Sequence, residues 1–186
     1  MELKYRTRGN ANPKGKSRIY FSCHSDGFNK CFYKICEDIL RCQDCAIYYY
    51  EPENDVETVI ADENYETDLH QMNLFVIPVS FRLLSAPNRT MDVEFGFAVK
   101  EHIPVLPVKI EPGLYDLFKA KFGQLQYIDP YSTDATAISY EEKLKKYLES
   151  VLIGQELADR VRAAFDAYIF LSYRKKDRKY ANEWRA

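Results

Sequence analysis

Glu94 is where the types and spacing of residues in this chain come closest to chemistry. It stands beside Phe95, three positions after Met91 and four before Ala98, at the edge of an apolar stripe with helical spacing. A carboxylate so placed is drawn toward the protein interior, where burial penalises its charge. The amino end of its helix, capped by Asn88 or Thr90, favours that charge. Two readings stay open for it: a functional acid, or an acid that complements the helix dipole. A helix-edge acid of this kind contributes little to stability, so Glu94→Ala is expected to be tolerated structurally.

Other candidates divide into chemistry and plain structure. His24 and Asp26 follow the apolar run that ends at Ser22, and each reads either as a helix-capping or loop residue or as part of a site. Cys42 and Cys45 have metal or redox spacing, but a zinc site needs a second pair, and a thioredoxin-like pair belongs at a helix start. Buried thiols are the expectation. Residues 51 to 71 carry eight acids and no Lys or Arg, without the glycine and alternation of an EF-hand loop, and read as a solvated loop.

The elements that must position these residues follow from periodicity. Strand-like runs cover Ile19 to Ser22, Ala46 to Tyr50, Leu74 to Val79, Val105 to Ile110 and Leu125 to Ile128. Helical spacing is expected over Asn29 to Arg41, Met91 to His102, Leu114 to Phe122 and Tyr140 to Leu152, with Glu156 to Phe165 continuing beyond Gly154. Strands alternating with helices predict an α/β fold: a five-stranded parallel sheet in the order 2-1-3-4-5 with helices on both faces. In that order ligands bind beyond the strand ends, at the switch point between the first and third strands, here Ser22-Cys23-His24 and Val79-Ser80. A two-component receiver is excluded because Pro78-Val79-Ser80 offers no phosphoacceptor aspartate. Neither a Gly-x-Gly-x-x-Gly turn nor a Walker loop is present.

The opening run also recurs. Arg18-Ile19-Tyr20-Phe21-Ser22-Cys23-His24-Ser25-Asp26 and Tyr168-Ile169-Phe170-Leu171-Ser172-Tyr173-Arg174-Lys175-Lys176-Asp177 read alike, about 150 residues apart. The organisation expected is a mobile basic leader over 1–17, a complete domain over 18–153, a helical connector over 154–166 and the start of a second such domain over 167–186. The net charge of −2 gives no global case for nucleic acid or an anionic membrane. No stretch approaches the ~20 apolar residues of a membrane helix, and the first residues lack a signal-peptide core, so a cytoplasmic protein is expected. Five cysteines crowded between Cys23 and Cys45 make a poor disulfide framework, and reduced thiols are expected.

With these residues in view, the chain resembles the Toll/interleukin-1 receptor (TIR) domain family in its bacterial form. The resemblance rests on Phe21-Ser22-Cys23-His24-Ser25-Asp26 and its second copy, on Leu74-Phe75-Val76-Ile77-Pro78-Val79-Ser80 with the acid-bearing helix after it, and on Ile103-Pro104-Val105-Leu106-Pro107-Val108. It implies a flavodoxin-like sheet and an enzyme that cleaves NAD⁺ at its nicotinamide glycosidic bond in bacterial signalling or antiphage defence. NAD⁺ is then the substrate, and no cofactor or metal is implied. Glu94 matches the family's catalytic glutamate, with Ser22, His24 and Asp26 lining the pocket and Phe21 or Phe28 stacking on a substrate ring. Thr90 stands where many members carry Trp. The partners implied are NAD⁺ or a related nucleotide and other TIR domains by self-association. Two further readings are a non-enzymatic TIR–TIR interaction domain working through residues 51–72, and a pocket that binds a nucleotide signal without cleaving it.

Overall fold

The computed structural model describes residues 2–51, 64–131 and 138–154, together with residues 157 and 160. Five strands, Lys4–Thr7 (β1), Ser17–Phe21 (β2), Cys45–Tyr49 (β3), Leu74–Val79 (β4) and Val105–Lys109 (β5), form one sheet in the order β1-β3-β2-β4-β5. The helices are Ser25–Cys42 (α1), Tyr65–His70 (α2), Phe81–Ser85 (α3), Phe95–Lys100 (α4), Tyr115–Phe122 (α5) and a helix over 140–154 (α6). Of the segment 51–71 expected to be a solvated loop, Tyr65–His70 is instead α2, with Tyr65 and Leu69 buried against the core, while 52–63, most of the connector and the second copy over 167–186 lie outside the described residues. No described helix is long and apolar enough to cross a membrane.

Parallel pairing joins β3 to β2, β2 to β4 and β4 to β5. Side chains alternate across these strands and divide the core in two. Ile19, Phe21, Ile47, Leu74, Val76 and Leu106 pack under α1 and α6. Tyr20, Tyr48, Phe75, Ile77 and Val105 pack under α2 to α5. Helices therefore cover both faces. The apolar face expected on the first helix, Phe32, Ile35, Cys36, Ile39 and Leu40, is the face α1 buries.

The sheet nevertheless differs from the expected all-parallel one at both edges. One difference is β1, which lies within the segment expected to be a mobile leader and runs antiparallel to β3, with Lys4 opposite Tyr49 and Thr7 opposite Ala46. Tyr5 faces its cross-strand partner Tyr48 at 6.0 Å between ring centres, the kind of pair that stabilises a two-strand contact. The basic residues nearby find partners. Arg8 Nε donates to the Leu40 carbonyl near the end of α1 at 2.8 Å, and Lys4 pairs with Glu51 at 2.7 Å.

At the other edge, the run Leu125 to Ile128 was expected to be a fifth parallel strand and makes a single bridge, Val108 to Ile128. Ile128 donates to the Pro107 carbonyl and accepts from the Lys109 N–H. The next rung toward residue 126 would need the N–H that Pro107 lacks, so the ladder stops. Proline acts the same way beside β2. The Ser22 N–H donates to Val76, and the following rung would need a donor at Pro78. The chain is thus free to leave the sheet after Ser22 and start α1.

Candidate functional site

The helix that carries Glu94 begins after β4 with an interlocked turn. Asn88 accepts from the Met91 N–H at 2.9 Å, and Asp92 accepts from the Asn88 N–H at 2.8 Å. Asn88 also donates to the carbonyls of Leu83 and Ala86, both at 2.8 Å, which ties this turn to α3. Thr90 to Glu94 then form a π-turn, closed by the Phe95 N–H on the Thr90 carbonyl, before α4 continues.

This widened turn changes which residues face inward. The expected stripe of Met91, Phe95, Ala98 and Val99 is only partly the buried one: Ala98 is buried and Met91 and Phe95 are half-buried, but Val99 is 56% exposed, while Thr90 and Glu94 join Ala98 as the fully buried positions. Glu94 is therefore at the centre of the buried face, not at its edge, and is 0% exposed. A carboxylate there needs partners. Its Oε1 accepts from the Tyr20 hydroxyl at 2.8 Å and from the Tyr65 hydroxyl, and its Oε2 accepts from Ser22 Oγ. Arg89 Nε lies 2.9 Å from Oε1, an ion pair in which the N–H is not well aligned for a hydrogen bond.

The four partners arrive from three places in the fold. Tyr20 and Ser22 are two apart at the end of β2, so both point to the face of the sheet under α4. Tyr65 opens α2. Arg89 is five residues before Glu94, a spacing that lies about 140° apart around an ordinary α-helix and that the π-turn brings together. The guanidinium carbon also sits 5.9 Å from the ring centres of Tyr50 and Tyr65.

Burial, with Glu94 second, pushes the Tyr20 and Tyr65 hydroxyls well above the usual tyrosine range, so both remain proton donors. For Arg89, burial opposes the charge, but Glu94 and the two tyrosines outweigh it and raise its basicity. Removing the carboxylate would strand a largely buried guanidinium and the three buried hydroxyls of Tyr20, Tyr65 and Ser22. The expectation that Glu94→Ala costs little is thereby corrected.

The remaining sequence candidates fall elsewhere. Phe21 is in the α1-side core, edge-on to Phe32 at 4.9 Å, and Phe28 stacks on Phe32 at 4.3 Å, so both are engaged on the sheet face opposite Glu94. His24 caps α1 by accepting from the Asp26 N–H at 3.2 Å. Asp26 pairs with Lys30 at 3.0 Å, and Lys30 reaches Glu111 at 3.3 Å. His24 and Asp26 therefore serve the start of α1, while the hydroxyl of Ser22, of the expected pocket residues, bonds to Glu94.

Cys42 and Cys45 are free thiols, and burial pushes Cys45 up to about 12. A groove of about 510 Å³ lies between the 125–128 run and α6, lined by Gln126, Tyr127, Lys143 and Tyr147 among others, and shares no residue with the Glu94 cluster.

Sequence reasoning missed Tyr20, Tyr65 and Arg89. Tyr20 was accessible through the period of two from Ser22. Arg89 was not, because helical spacing puts it on the wrong side of Glu94. Neither protein-family models nor curated proteins offer a match to this sequence.

Proposed function

We propose that the chain is a TIR-type module that cleaves NAD⁺ at the nicotinamide glycosidic bond, with Glu94 as its catalytic carboxylate, in bacterial signalling or antiphage defence. The observation that supports this reading is the bond between Ser22, at the end of the first parallel strand, and Glu94, on the helix after the third. It spans the switch point where doubly wound sheets take their ligands. In the step proposed, the bond from ribose C1′ to the nicotinamide nitrogen breaks and its electron pair neutralises the pyridinium. The carboxylate stabilises positive charge developing at C1′. Water then adds at C1′ and releases a proton, giving a linear product, or an adenine ring nitrogen adds to give a cyclic one. Because nicotinamide leaves as a neutral molecule, no second acid is required.

A second reading, a non-enzymatic TIR–TIR interaction domain, has its own support: Glu94 is wholly buried and both its oxygens are engaged. Incubating the concentrated protein with NAD⁺ and a crowding agent, and following nicotinamide, separates the two. The enzyme reading expects release that disappears in Glu94→Gln. No release from the native protein favours the interaction domain.

A further inference from the structure

In the closed cluster Glu94 is neutralised. Among the described residues its ion-pair partner is Arg89, and a carboxylate paired at 2.9 Å offers little net field to a cation forming at ribose C1′. A site built this way works only if the guanidinium has somewhere better to go when substrate enters. The Arg89 side chain is 18% exposed against 0% for Glu94, so it is the member of the pair nearer solvent. It stands at the start of the π-turn, after β4 and α3, and its guanidinium carbon lies 5.9 Å from the ring centres of both Tyr50 and Tyr65. A planar five-donor fork is also the side chain best matched to phosphate oxygens.

We propose that Arg89 is an exchangeable counter-ion that recognises the diphosphate of the substrate: it holds Glu94 in the empty site and transfers to the diphosphate when a dinucleotide binds, leaving the carboxylate to act on the ribose. This inference rests on the NAD⁺-cleaving reading. It makes the diphosphate, remote from the scissile bond, the group that switches the carboxylate on. A nicotinamide nucleoside without phosphate cannot displace Arg89 and meets a neutralised Glu94.

The test compares kcat/KM for NAD⁺ and for nicotinamide riboside in the native protein, Arg89→Lys and Arg89→Gln. The native protein is expected to prefer NAD⁺. Arg89→Gln should lose about tenfold to a hundredfold of that preference, by weakening NAD⁺ cleavage far more than riboside cleavage. Arg89→Lys, which keeps a charge but not the fork, should fall between them. The preference is a ratio within one sample, so a variant that is partly unfolded still reports it, and Arg89→Lys serves if Arg89→Gln fails to fold. A native protein that cleaves both compounds equally, or variants that slow both by the same factor, would overturn the role of Arg89 and leave the enzyme reading standing. A native protein that neither binds nor cleaves NAD⁺ would remove the enzyme reading, and this inference with it.

Discussion

Ser22 and Glu94 are 72 positions apart in the chain and share a hydrogen bond at the end of the central strands. Ser22 is held there by the rung from its own N–H to Val76, and Glu94 by the π-turn that rotates it inward. The contact therefore reports whether sheet and helix are in register, and variants around it are informative about both.

Glu94→Ala should destabilise the fold by about 3–5 kcal/mol, since it leaves Arg89 without its buried counter-charge. Glu94→Gln fills the same volume and still accepts from Tyr20, so its cost should be smaller. Urea unfolding of the two variants gives the comparison. An Ala variant as stable as the native protein would mean that the buried cluster does not form in solution.

Tyr20→Phe removes one donor from Oε1 of the wholly buried Glu94, and Tyr65→Phe removes another. Each should cost about 1–3 kcal/mol. The two effects should be strongly non-additive with Glu94→Gln, because all three share one network. Additive effects in a double-mutant cycle would show that the hydroxyls find other partners.

Asn88→Ala should lower stability by about 2–3 kcal/mol, since one side chain caps Met91 and satisfies the carbonyls of Leu83 and Ala86. If Glu94 acts on NAD⁺, the slackened turn should also reduce nicotinamide release in the folded fraction. Circular dichroism melts and a turnover assay at low temperature separate the two effects.

Alkali should weaken the fold in a defined window. Burial raises Cys31 and Cys45 from 9.0 to about 12, and raises the Tyr20 and Tyr65 hydroxyls as well. These groups stay protonated in the native state while the unfolded chain releases its protons. Stability is thus complete below about pH 9 and falls as pH rises from 9 toward 12. Thermal midpoints measured from pH 8 to 11 should decline, and Cys31→Ala with Cys45→Ala should flatten the decline. A profile that is level up to pH 11 would contradict the burial of these groups.

How much of this was legible in the sequence varies by element. The buried face of α1 followed from its apolar spacing, because one regular helix on one sheet face obeys a single period. The stripe around Glu94 did not, because one widened turn shifts the inward face and leaves no mark in composition. The missing fifth strand was readable in principle: Pro107 removes the donor that a ladder to residue 126 requires. The strand near the amino end was obscured by its basic character, since the Leu40 carbonyl and Glu51 that satisfy Arg8 and Lys4 are distant in the chain.

The sequence by itself determined the alternation of strands and helices, the division of side chains between two sheet faces, and the place of Ser22 at a strand end, all consequences of local periodicity and of where proline cannot donate. Only the tertiary structure decided what surrounds Glu94. Tyr20, Tyr65 and Arg89 come from a strand, a short helix and a π-turn, and the free energy that gathers them is the cost of leaving a buried carboxylate without partners, a term that exists only once the helix is packed on the sheet.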